Sequence, residues 1–205
     1  MALRLLPYKQ YDDKDVVNLY ALSSTSAGLS DPSTNGDNDN GVFVKVSAGN
    51  LNEDPISYVS STYVGKQHAS PVGRNYLPTV PLKVEAAAAG SAALGITLNQ
   101  TLTHDENGEK LIYNPTKKSE MQAVTSGEAV PVATRGIFTI TADAVDGSVG
   151  VGSGLALSAN AGKVTGVADY DSDTVIATVI GTGSRASSDA GTDGYAGNYY
   201  MIKLG

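Results

Sequence analysis

Asp31, Ser33, Asn35, Asp37 and Asp39 stand at every second position around Gly36. Oxygen-bearing side chains alternating in this way, with a glycine in the middle, are how a calcium-binding loop begins. Such a loop closes on a bidentate glutamate at its twelfth position, and here that position is Val42. No helix-forming segment flanks it. The stretch reads as a solvated acidic linker and calls for no metal.

A second outline is G-x-G-x-x-A at Gly181, Gly183 and Ala186, directly after the apolar run 174–180. A dinucleotide-binding turn needs a helix next and an acidic residue on a further strand about 20 residues on. The segment that follows, SSDAGTDGYAG, is helix-poor. The glycines therefore read as a tight turn. His68 and His104 are far apart and outside any metal-binding spacing, and His104-Asp105-Glu106 falls at a predicted hairpin tip, where such side chains are solvated. Serines are abundant, but none sits in a nucleophile elbow. Asn99-Gln100-Thr101 spells a glycosylation sequon in the middle of a predicted strand, and cysteine is absent. The chain reads as a non-enzyme that requires no cofactor.

The elements that would have to position any site are strands. In 126–141, SGEAVPVATRGIFTIT, a bend at Ser126-Gly127-Glu128 precedes a short β-branched segment around Pro131. A second bend at Thr134-Arg135-Gly136 leads into Ile137-Phe138-Thr139-Ile140-Thr141, which suits a pleated, half-buried surface. Further strands are predicted at 42–46, 58–64, 80–84, 155–157, 163–167, 174–180 and 199–204. A hairpin is expected from 96–101 to 110–113, with Asn107-Gly108 as a primed turn. Short strands at this spacing indicate an all-β fold, a β-sandwich or barrel of antiparallel strands.

The first residues read differently. Leu3, Leu5, Leu6, Val16, Val17, Leu19 and Leu22 form two apolar clusters on either side of a polar segment. The serine-, asparagine- and aspartate-rich stretch beyond them separates them from the strands. The expected organisation is an extended N-terminal arm (1–24), a polar linker (25–41) and a β-domain (42–205). Apolar residues on a tether bury against something: a partner's groove or sheet edge is the expected place, and the competing view is that the arm folds back onto its own domain or a neighbouring subunit and only stabilises it.

Composition narrows the partners. With 21 acidic against 14 basic residues the formal net charge is −7, and Lys117-Lys118 is the only adjacent basic pair. Nucleic acid and anionic membrane surfaces both select for a basic stripe, so neither is expected as a partner. The apolar start 2–6 is stopped by Pro7, and no apolar run approaches the ~18 residues of a membrane span. Synthesis in the cytoplasm is expected. Trp is absent and Phe occurs twice, yet Tyr occurs eleven times. That suits an assembly surface, where a ring is buried and its hydroxyl stays wet, and equally suits replacement of Phe at sheet edges.

The pattern G-E-x-V-x-V-x-x-x-G-x-F, a later strand like I-G-x-x-x-x-G and a last hydrophobic strand resemble the capsid decoration (cement) proteins of tailed bacteriophages. The matching positions are Gly127, Glu128, Val130, Val132, Gly136, Phe138, Ile180, Gly181 and Gly183. The resemblance covers about half of the chain, best from Ile96 onward, and this chain is longer at its N-terminal side. It implies a virion structural protein on the capsid exterior, bound to the major capsid protein, self-associated with a homotrimer favoured, and stabilising the shell. The expected contact residues are the seven apolar residues of the arm. The other readings are a head-fibre or tail protein and a carbohydrate- or cell-surface-binding β-module, with Tyr195, Tyr199 and Tyr200 as stacking platforms.

Overall fold

The computed structural model describes residues 4–22, 37–38, 40–48, 82–102, 104–105, 107–125, 128–167, 174–189 and 194–205. The predicted strand 58–64 and His68 lie outside them. The chain begins with β1 (Leu5–Gln10), β2 (Val16–Val17) and β3 (Ala21–Leu22). Then come β4 (Asp37–Asn38), β5 (Phe43–Ala48), β6 (Lys83–Ala86), β7 (Gly95–Thr97) and β8 (Gln100–Leu102). A short helix, α1 (Pro115–Glu120), precedes β9 (Ala123–Val124), β10 (Val132–Ala133), β11 (Gly136–Thr141) and β12 (Val145–Asp146). The last strands are β13 (Gly154–Leu157), β14 (Val164–Val167), β15 (Ala177–Arg185) and β16 (Gly197–Leu204). The fold is all-β.

A seven-stranded sheet runs β1-β11-β16-β15-β13-β14-β12, and a six-stranded sheet runs β2-β10-β7-β5-β6-β3. A smaller sheet, β4-β8-β9, stands beside them. Among the described residues each sheet is open at both edges, and none closes into a barrel. Neighbours pair antiparallel except β3 with β6, β8 with β9 and β12 with β14, each at the edge of its sheet.

The two larger sheets share one core. Phe138 and Ile140 of β11, Ile202 and Leu204 of β16, and Val179 of β15 pack with Phe43, Ile96 and Ala133 of the six-stranded sheet. Side chains alternate across a strand, so Val44 and Val132 point the other way and form a second cluster with Val42, Val84 and Ala86. The six-stranded sheet is thus apolar on both faces.

The expected separation of arm and β-domain does not hold for the described residues. Leu5 pairs with Ile140 and Gln10 with Ile137, so the first strand is an edge of the seven-stranded sheet. Val16 and Val17 pair with Ala133 and Val132, and Ala21 and Leu22 run parallel to Lys83 and Val84. The first 22 residues therefore contribute edge strands to both large sheets. The polar stretch after Leu22 marked a boundary in the sequence but not in space. Between the pairs Leu5–Ile140 and Lys9–Phe138, Leu6, Pro7 and Tyr8 stand opposite Thr139 alone. Pro7 has no N–H to give to a ladder, and a bulge on an edge strand accommodates it.

The expected hairpin is also rearranged. The run 96–101 splits after Thr97, with β7 in the six-stranded sheet and β8 in the small one. The returning segment is a 3-10 turn, Leu111–Tyr113, leading into α1 with Pro115 in its first turn. Gly108 has φ +81°, while Gln122 is the one described non-glycine residue at positive φ, so Asn107-Gly108 is not a primed turn. The side chain of Asp105 builds the turn instead.

Candidate functional site

Among the described residues, those singled out for chemistry do not come together. Asp31, Ser33, Asn35, Gly36 and Asp39 lie outside the described residues. Asp37 belongs to β4, paired with Leu102, and Val42, where a calcium loop needs its last ligand, is a core residue. His104 is exposed and bridges to Lys110 through the backbone.

Gly181 and Gly183 do not form the expected tight turn. They lie inside β15, opposite Met201 and Tyr199 of β16. The Tyr199 ring covers Gly183 so closely that a Cβ there would collide with it. Glycine at this position is a seat for an aromatic ring of the neighbouring strand.

The tyrosines expected as a glycan platform are divided. Tyr200 is buried in the core, whereas Tyr199, its neighbour along β16, projects to the opposite face. The Tyr195 hydroxyl accepts from the Ala142 N–H at 3.3 Å and donates to the Asn198 carbonyl, tying the β15–β16 connection to the end of β11. These rings brace the sheet.

Of the seven apolar residues expected to touch a capsid, Leu5 and Leu6 are 3% and 4% exposed and are not available as a surface. Val16, Val17 and Leu19 are half-buried beside the six-stranded sheet. Leu22 is a backbone partner of Val84, and Leu3 lies outside the described residues.

Sequence reading missed three ionised clusters. Asp105 has a fully buried side chain, against the expectation of a solvated hairpin tip. Lys117 Nζ lies 2.6 Å from one carboxylate oxygen, while the N–H groups of Asn107 and Glu109 donate to the other at 2.9 and 2.7 Å. The Lys117 bond, joined by these N–H groups, holds the Asp105 pKa below the usual carboxylate range. Burial works to raise the pKa of Glu128, but Lys118 at 2.7 Å and the Thr125 N–H at 2.6 Å outweigh it and lower the pKa. Asp146 accepts from the Ser158 hydroxyl and from the Asn160 amide at 3.0 Å, with Lys163 at 3.8 Å, and its pKa is lowered too. Each cluster closes a turn: the one before α1, the one after β9, and the β13–β14 hairpin against β12.

A pH dependence follows. A carboxylate whose folded pKa lies below its unfolded value stabilises the fold above the unfolded pKa, and that contribution is lost as pH falls through the folded value. The melting temperature is expected to hold down to about pH 5 and to fall below about pH 4, the ordinary carboxylate range. Asp105→Asn keeps an acceptor for the turn but loses the charge, so its melting temperature should be lower at pH 7 and less acid-sensitive. Circular dichroism melts at pH 7 and pH 3 check this, and an equal acid loss in both proteins would contradict it.

Two open features of the seven-stranded sheet bear on binding. The first is the bulge in β15. Val179 pairs with Ile202 and Gly181 with Met201, leaving Ile180 as the extra residue, 40% exposed. β13 flanks β15 at Ala177 and Thr178, and Gly152 and Ser153 bond the backbone of Val179. From Ile180 to Ser184 no strand lies on that side among the described residues. This stretch carries neither a charge nor a proline, the usual guards of a strand edge. Val151, 65% exposed, sits beside it in the turn whose Gly152 N–H donates to Val179. The second feature is an open depression of about 400 Å³ at the other end of β15 and β16, lined by Gln10, Arg135, Ile137, Lys203, Leu204 and Gly205.

Comparison of the chain with protein-family models, with curated proteins and with solved structures finds no match.

Proposed function

We propose that this protein is a virion structural protein that binds the outer surface of an assembled phage capsid and stabilises it. The observation that carries this reading is where the motif residues fall. Val132 lies in β10, Gly136 and Phe138 lie in β11, Ile180, Gly181 and Gly183 lie in β15, and the last strand β16 is the neighbour of both β11 and β15. The part of the pattern that resembles decoration proteins from Gly136 onward thus falls on three adjacent strands of one sheet. Its charged neighbours close turns, and its uncharged bulged edge with Ile180 and Val151 offers a footprint for another protein. The major capsid protein is the partner, and an exposed strand edge takes a partner's extended segment through main-chain hydrogen bonds. An oligomer, with a homotrimer favoured, engages neighbouring capsid subunits together and gains about 10²–10⁴ in avidity from modest contacts.

The test places aspartate at this footprint. Val151→Asp with Ile180→Asp changes two exposed side chains and should leave the β spectrum intact. Each buried aliphatic side chain contributes about 1.5–3 kcal/mol, so cosedimentation with capsids that lack the native protein should weaken tenfold or more. Undiminished cosedimentation would remove the edge from the contact.

A further inference from the structure

At the end of the seven-stranded sheet, a basic depression and an acidic turn stand side by side without meeting. Gln10, Ile137 and Lys203 form one row across β1, β11 and β16. Arg135 stands at the bend before β11, its side chain lying against Gly205. Arg135 and Lys203 are both exposed, and neither has a carboxylate within salt-bridge distance among the described residues. The depression's lining contains no aspartate or glutamate side chain.

Directly beside it, β1 ends in the turn Asp12-Asp13-Lys14-Asp15. Asp12 is engaged by Lys14 at 3.1 Å, while Asp13 and Asp15 have no cation within salt-bridge distance among the described residues. The turn is fixed next to the basic side: the Thr134 N–H and hydroxyl both donate to the Asp15 carbonyl at 2.9 Å. Basic and acidic groups are therefore held side by side on one chain without neutralising each other.

We propose that this end of the sheet is a contact between copies of the chain, in which the depression with Arg135 and Lys203 receives the Asp12–Asp15 turn of a second copy. At a net charge of −7 two copies repel over most of their surfaces, and a patch carrying both signs is where they approach with complementary potential. Ile137 supplies an apolar floor, and Gln10 an amide, to the same depression. A contact from basic side to acidic side closes as a two-fold pair or as a ring, depending on the rotation between copies. It stands independently of capsid binding and is measured without capsids.

The experiment is analytical ultracentrifugation of the full chain and of two charge-reversed variants, Arg135→Glu with Lys203→Glu and Asp12→Lys with Asp13→Lys. Wild type is expected at a multiple of 21.0 kDa, weakening as salt shortens the screening length from about 10 Å at 0.1 M to about 3 Å at 1 M. Each variant alone should associate at least about tenfold more weakly, and an equimolar mixture of the two should regain a multimer, because reversed depression and reversed turn again match. A wild type that sediments as a single chain overturns the proposal. So do variants that remain multimeric, or a mixture that stays dissociated. If a reversed pair loses its β spectrum, Arg135→Gln with Lys203→Gln replaces it: weakened association supports the contact, and unchanged association overturns it.

Discussion

Replacing Leu5 and Leu6 together by alanine is expected to cost about 4–10 kcal/mol, at about 2–5 kcal/mol for each buried leucine. The two side chains point to opposite faces of β1. Leu5 joins the shared core with Phe138 and Ile140, while Leu6 is buried outside that cluster. Their losses should therefore add. A domain of ordinary stability has only about 5–15 kcal/mol in total, so the double variant should be largely unfolded or close to it. Removal of residues 1–22 should do the same, because it strips edge strands from both large sheets and exposes the backbone of β10 and β11. Urea titration followed by circular dichroism measures the effect. A truncated protein with an unchanged midpoint would restore the separate arm and return Leu5 and Leu6 to the list of capsid contacts.

Gly95→Ala is expected to be the most damaging conservative change. Gly95 pairs with Val44, and on its other side β10 crosses so closely that a Cβ would lie 2.8 Å from the Ala133 carbonyl carbon and nearer still to its oxygen. The obstacle is backbone in the middle of a sheet and cannot swing aside. Overpacking of this kind costs about 1–3 kcal/mol, occasionally more, and Gly95→Ala belongs at the upper end. For a chain of this size that corresponds to a melting temperature lower by roughly 6–12 °C. Gly150→Ala is the control: its Cβ would meet only Ser153 Oγ at 3.9 Å, and it should fall within about 0.5 kcal/mol of wild type. Equal melting temperatures for the two variants would show that β7 and β10 are not packed as described.

Strand positions were largely legible because β-branched and aromatic residues cluster in them. Ile137 to Thr141 became β11 and the last hydrophobic segment became β16. Pairing was not legible. The segment around Pro131 and the one beginning at Gly136 are separated by a two-residue bend, yet they lie in different sheets, and Leu5 finds its partner Ile140 far along the chain. Such choices depend on which faces bury together, and local pattern does not encode them. The roles of Gly95 and Gly183 were invisible for a related reason, since each is explained by a neighbouring strand's atoms and not by its own φ. Asp105 was misread because a carboxylate in a polar, glycine-containing stretch looks solvated. Its burial follows from Lys117 arriving one helix later, and the signal available was the Asp105-to-Glu109 turn followed by Asn114-Pro115 and two lysines.

The proposed capsid role is tested most directly by electron microscopy of particles recovered from cells that express this chain from its native genome, compared with particles made without it. The expected result is density for an all-β body on the outside of the capsid shell, repeated at symmetry-related positions and missing when the chain is deleted. Particles identical with and without the chain, or density confined to the tail or the interior, would contradict capsid decoration.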